Sequence, residues 1–154
     1  MMNLLPARGL RAALLLSVAV FVSLAQAQEA GVPGEGVICA YGLYTMLQFT
    51  AKVCSWERVP FDEMLDHAVA DIESYILANA SDPSVVERTR ANMAAGEAVW
   101  KTWPTADQQA YCEQQSKSQT MAGIPIRESD PEELKRHVEL LLSVPGEPTL
   151  GSCV

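Results

Sequence analysis

The sequence predicts an all-α fold, a small antiparallel bundle of about five helices stapled by two disulfides. Three observations predict it. Apolar residues recur at helical spacing in successive segments. Proline and capping residues punctuate those segments. Four cysteines, Cys39, Cys54, Cys112 and Cys153, all follow an export signal, and an even count in an exported chain reads as two bridges. No stretch alternates β-branched residues between turn signals as a strand would, and there is no internal repeat.

Residues 1–27 read as a cleaved signal peptide. Arg8 and Arg11 precede an apolar run, Ala12 to Ala25, and Ala25-Gln26-Ala27 is an A-x-A cleavage pattern. The run is short of the ~20 apolar residues a membrane span requires. The expected location is therefore the periplasm or the extracellular space, without stable membrane anchoring after cleavage. The chain from Gln28 onward carries nine basic residues against nineteen acidic ones, a net charge of −10. That balance, with no basic cluster, argues against nucleic acid as a partner and suits solubility or a cationic protein partner.

Residues 28–36 (QEAGVPGEG) read as a flexible leader, and 37–154 as one helical domain with a disulfide-tethered tail. The first helix is expected from Val37 to Cys54. Cys39, Leu43, Met46, Leu47, Thr50, Val53 and Cys54 fall on one broad arc, with Gly42 and Phe49 at its edge, and this arc is expected to face the core. Tyr41, Tyr44, Thr45, Gln48 and Lys52 fall opposite. Tyrosine combines a rigid apolar ring with a polar tip, so this stripe is the candidate partner surface. The alternative is that the fifth helix covers it.

Pro60 separates the second helix, Phe61 to Asn79, whose inward stripe is Phe61, Met64, Leu65, Ala68, Val69, Ile72, Tyr75 and Ile76. Asp62 and Asp66 read as a solvated face. Ser81-Asp82-Pro83 opens the third helix, Pro83 to Trp103, which points Val85, Val86, Thr89, Met93, Gly96, Trp100 and Trp103 inward. Gly96 in that stripe permits a close helix approach. Thr105 and Gln108, at capping-box spacing, start a weakly apolar fourth helix ending near Lys117. Ser129-Asp130-Pro131 starts the fifth, Pro131 to Val144, with Leu134, Val138, Leu141 and Leu142 inward.

Helical geometry restricts the disulfides. Fifteen residues of helix span ~22 Å, whereas bridged Cα atoms lie ~4.4–6.8 Å apart. A continuous first helix therefore excludes Cys39–Cys54. Up-down topology brings the start of the fourth helix to the end of the first, which favours Cys54–Cys112 and Cys39–Cys153 over the other cross-pairing.

No catalytic or metal site is nominated. His67 and His137 each follow a glutamate by four residues (Glu63, Glu133), one longer than the Glu-x-x-His spacing of di-metal bundles. No hydrolase elbow, zinc signature, phosphate-binding loop or calcium loop is present, and no cofactor is implied. The expectation is an exported, non-enzymatic, protein-binding helical protein, an inhibitor, immunity or accessory factor. The alternatives are a carrier of a small apolar ligand between helices, using Met46, Met64, Met93 and the tryptophans, and a small secreted enzyme with no nominated residue.

Overall fold

The computed structural model describes residues 32–118, 120–121 and 124–151. The expected signal peptide, the leader before Val32 and Cys153 lie outside the described residues. Five helices follow in chain order: α1 (Val37–Val53), α2 (Pro60–Asn79), α3 (Ser84–Trp100), α4 (Thr105–Ser118) and α5 (Pro131–Leu141). The only departure from all-α among the described residues is a two-residue antiparallel ladder, β1 (Thr120–Met121) with β2 (Ile124–Pro125), and a 3-10 turn at Ile126–Glu128.

The centre of the domain is α2, on which both α1 and α5 pack. Proline at its first position presets the helical φ and lacks only a donor that would be unpaired there. Its stripe is buried as the periodicity predicts: Phe61, Leu65, Ala68, Val69, Ile72, Tyr75 and Ile76, with Ile72 and Ile76 fully sealed and Met64 half-buried. Each sealed aliphatic side chain contributes about 1.5–3 kcal/mol of transfer free energy. Asp62 is the exception to its expected solvated face. It is buried, because its carboxylate accepts the Val59 N–H at 2.9 Å, capping α2, and the Arg127 Nε–H at 2.9 Å.

α1 has nearly the expected boundaries, and Leu47 and Thr50 of its expected inward arc are buried, but the helix is rotated so that the tyrosine side turns inward as well. Its buried residues are Val37, Ala40, Tyr41, Tyr44, Thr45, Leu47 and Thr50, while Leu43 and Met46 are 44% and 48% exposed. The cause is size and local satisfaction. Two tyrosine rings offer more area for burial than Leu43 and Met46 do, and the polar tip of Tyr41 and the Thr45 hydroxyl find partners. Tyr41 Oη–H donates to Glu73 of α2 at 2.7 Å, and Thr45 Oγ–H donates back to the Tyr41 carbonyl at 2.8 Å. The pairs Tyr41–Glu73 and Gln48–Asp66 make α1 and α2 antiparallel. Within the stripe Tyr41, Tyr44 and Thr45 are buried, whereas Gln48 is half-buried and Lys52 exposed, so only part of it is covered.

α1 ends in a Schellman arrangement: Trp56 N–H bonds the Ala51 carbonyl and Ser55 N–H the Lys52 carbonyl, with Ser55 left-handed at φ 50°. α3 lies along α1 and only lightly on α2. A Cβ on Gly96 would sit 3.2 Å from the Phe49 ring, so the glycine does permit the close approach. Of the α3 stripe only Val86 is buried; Trp103 is 42% exposed.

None of the described side chains of α4 is fully buried. Gln108 does not form the expected capping box. Its amide donates instead to the carbonyls of Trp100 and Trp103, satisfying the end of α3. α4 is tied to the end of α1 by the expected Cys54–Cys112 disulfide, Cα–Cα 5.6 Å. Cys39 is not a free thiol, and its expected partner Cys153 lies outside the described residues. At α5, Asp130 caps by accepting the Glu132 N–H, and Leu134 and Val138 are buried as expected.

The described end of the glycine-rich leader is docked, not loose. Thr149 N–H bonds the Gly34 carbonyl at 2.9 Å and Ile38 N–H bonds the Thr149 carbonyl at 3.1 Å. Gly34 has φ +79°, and a Cβ there would lie 2.2 Å from the Glu147 carbonyl oxygen, so no other residue fits. The tail is held further by Tyr75, whose hydroxyl reaches the Val144 carbonyl, and by Glu147, which accepts from Ser81.

Candidate functional site

Because α3 leans on α1 and away from α2, the three helices enclose an open groove of about 700 Å³. Its walls come from regular positions on each helix. α1 contributes Tyr41, Thr45 and Phe49, α2 contributes Leu65 and Val69, and α3 contributes Met93. Tyr41, Thr45, Gln48 and Lys52 recur at helical spacing, so they form one continuous wall. Four of the five residues proposed from sequence as a partner surface therefore line the groove. Tyr44 does not; it is buried elsewhere against the core.

Ionised side chains bridge the helices around the groove. Lys52 of α1 pairs with Glu97 of α3. Arg90 of α3 forks onto Glu73 of α2, with Nε to Oε1 at 3.0 Å. Arg58, before α2, meets Asp66 at 2.6 Å, and Gln48 donates to the same carboxylate at 2.7 Å. At one end Arg127 holds Asp62 and lies over the Trp56 ring, 5.1 Å from its centroid.

These contacts move the ionisation of several groups. Burial, then the hydrogen bond to Glu73, pushes the Tyr41 hydroxyl well above the ordinary tyrosine value, and burial raises Tyr44. Burial pushes Asp62 up, but hydrogen bonds from Arg127 and the Val59 N–H outweigh it and leave it below the usual carboxylate value. The bonds to Asp66 and Glu73 raise Arg58 and Arg90 further. Apart from Tyr44, which burial alone shifts, each of these shifts favours the state already paired.

A second surface feature sits at the α3–α4 corner. Trp100, Trp103 and Tyr111 pack mutually, with ring centroids 5.5, 5.3 and 6.1 Å apart. Trp103 and the neighbouring Val99 are 42% and 56% exposed.

His67 and His137 are exposed. No three potential metal ligands converge among the described residues. Of the residues named from sequence for an apolar carrier, Met93 and Trp56 line the groove; Met46 is exposed, Met64 packs at the core edge, and Trp100 and Trp103 form the separate corner. Sequence reasoning missed Phe49 as a wall and the interhelical ion pairs altogether. Glu73 and Arg90 are 17 residues apart, a spacing with no local signature.

No protein-family description matches the chain, and neither a curated protein nor a solved structure matches it.

Proposed function

We propose that this is an exported, disulfide-held binding protein that carries a small apolar molecule in the α1–α2–α3 groove. The observation that carries the reading is the groove itself. Its volume of about 700 Å³ falls in the range of small-molecule sites, roughly 300–1,000 Å³. Its lining combines aromatic and aliphatic side chains with polar ones, seven of them charged. Burial of Tyr41, Tyr44 and Thr45 removes the open tyrosine surface that favoured a protein partner, and the groove supports the carrier in its place. The Cys54–Cys112 bridge supports an oxidising compartment, and a Cys39–Cys153 bridge completes the proposed scaffold.

The test uses the purified oxidised protein and the neutral apolar dye N-phenylnaphthylamine. Saturable dye fluorescence is expected, together with an apolar compound in an organic extract of the protein. Ala94→Trp, which places an indole at an exposed groove position on α3, is expected to abolish both with an unchanged melting curve. No saturable binding to the parent protein refutes the carrier.

A second reading rests on the Trp100–Trp103–Tyr111 corner. Exposed tryptophan and tyrosine next to an apolar side chain are the composition of interface hot spots, and the acidic chain favours a cationic protein there. Trp103→Ala would then abolish capture of a single envelope protein that the parent retains; equal capture by both refutes the corner as the contact.

A further inference from the structure

We infer that the groove selects uncharged apolar molecules, such as long-chain alcohols or esters, over fatty acids and cationic amphiphiles of the same chain. The inference rests on the carrier reading and deepens it.

The argument is the charge state of the lining. The charged side chains that line the groove are Lys52, Arg58, Asp62, Asp66, Glu73, Arg90 and Glu97, and each already has an opposite charge from the chain itself. Lys52 holds Glu97, Arg58 holds Asp66, Arg90 holds Glu73, and Arg127 holds Asp62. Arg127 included, bases and acids balance, so the mouth offers neither sign an excess. Three of the polar wall groups are likewise engaged: the Tyr41 hydroxyl with Glu73, Thr45 with backbone carbonyls, and Gln48 with Asp66.

An ionic head group entering this ring must displace one of those partners or remain unpaired. Displacement is costly where the abandoned group is sheltered. Glu73 is only 12% exposed and Asp62 7%, and a sheltered charge that loses its partner is strongly destabilising. A charged head that left the pairs intact would meet equal numbers of acids and bases, and so gain no net attraction to offset its lost hydration. A neutral head meets neither penalty, and its chain gains the apolar walls.

Calorimetric titration of the oxidised, full-length protein with decanol, decanoate and decyltrimethylammonium tests this. Decanol is expected to bind, and each charged analogue to bind about tenfold more weakly or worse, the equivalent of about 1.4 kcal/mol. Glu97→Gln leaves Lys52 unpaired and is expected to raise decanoate affinity relative to decanol. Ala94→Trp is expected to weaken decanol binding. Charged analogues binding as tightly as decanol overturn the selectivity and leave the carrier standing. An unchanged preference in Glu97→Gln overturns pairing as its cause. Binding of none of the three probes, or insensitivity to Ala94→Trp, overturns the carrier and this inference together.

Discussion

The Tyr41 hydroxyl donates a 2.7 Å hydrogen bond to Glu73, joining the start of α1 to the far half of α2 across the wall of the groove. Tyr41 is 1% exposed, and Glu73 is shared with Arg90 of α3, so one carboxylate fastens three helices. Tyr41→Phe keeps the ring and removes the donor. Glu73 retains Arg90, so the expected loss is about 1 kcal/mol, the net worth of one such bond, measured by urea unfolding. The pH behaviour has a definite sign. The folded hydroxyl ionises above its ordinary value of 10.0, so above that pH the unfolded chain binds fewer protons than the native one, and stability falls as pH rises. A melting temperature that declines above pH ~10, and declines less in Tyr41→Phe, is the expected result.

Asp62 gives the acid-side counterpart. Its carboxyl lies below the ordinary value of 3.8 in the fold, so its contribution is complete above that value and is lost as pH falls through the folded one. Asp62→Asn abolishes the charge at all pH values. It also leaves Arg127, with a side chain only 19% exposed, without its carboxylate. A loss of about 2–3 kcal/mol at neutral pH is expected, below the 3–5 of a fully buried pair because Arg127 retains the Glu57 carbonyl. The melting temperature of the variant should also depend less on pH across the carboxylate range.

The contrast between α2 and α1 shows where the fold was legible. In α2 the apolar residues occupy one narrow stripe with acids elsewhere, so periodicity fixes the buried face, Asp62 apart. α1 carries Leu43, Met46 and Leu47 on one side and Tyr41 and Tyr44 on the other, so every rotation buries apolar surface. What decides is the partner helix: Glu73 and Asp66 on α2 accept from Tyr41 and Gln48. That choice is tertiary and leaves no trace in the spacing of α1. The docking of the leader at Gly34 onto the tail escapes a sequence reading for a related reason. Its contacts are main-chain bonds between Gly34 and Thr149, and main-chain groups carry no residue signature. The Cys54–Cys112 bridge was legible because the rise of a helix forbids Cys39–Cys54 and up-down topology brings the start of α4 to the end of α1.

That bridge has a measurable task. None of the described side chains of α4 is fully buried; its links to the body include the Trp100, Trp103 and Tyr111 contacts and the two Gln108 bonds. Cys54→Ser with Cys112→Ser is expected to reduce stability by about 2–4 kcal/mol. Hydrogen exchange should localise the effect: amides of α4 lose protection while those of α2 keep it. Retained protection in α4 would show that the aromatic corner suffices to dock it.

Ser55 offers the opposite test, a substitution expected to stabilise. It occupies the left-handed position that ends α1, at φ 50°, where a Cβ crowds the following carbonyl. The two bonds that close the helix, from Trp56 to Ala51 and from Ser55 to Lys52, are main-chain and survive any substitution other than proline. Ser55→Gly removes the Cβ strain. It also enlarges the conformational freedom of the unfolded chain, which offsets part of the gain. The net expectation is a gain of up to about 1 kcal/mol, from the penalty of roughly 1–2 kcal/mol for a side chain in this region. Chemical denaturation should record it as a higher midpoint with an unchanged slope. A lower midpoint would mean that the serine side chain contributes at the groove lip, where Ser55 also lies. Dye binding to the variant separates the two effects: backbone relief leaves the affinity unchanged, whereas a lost serine contact shifts it.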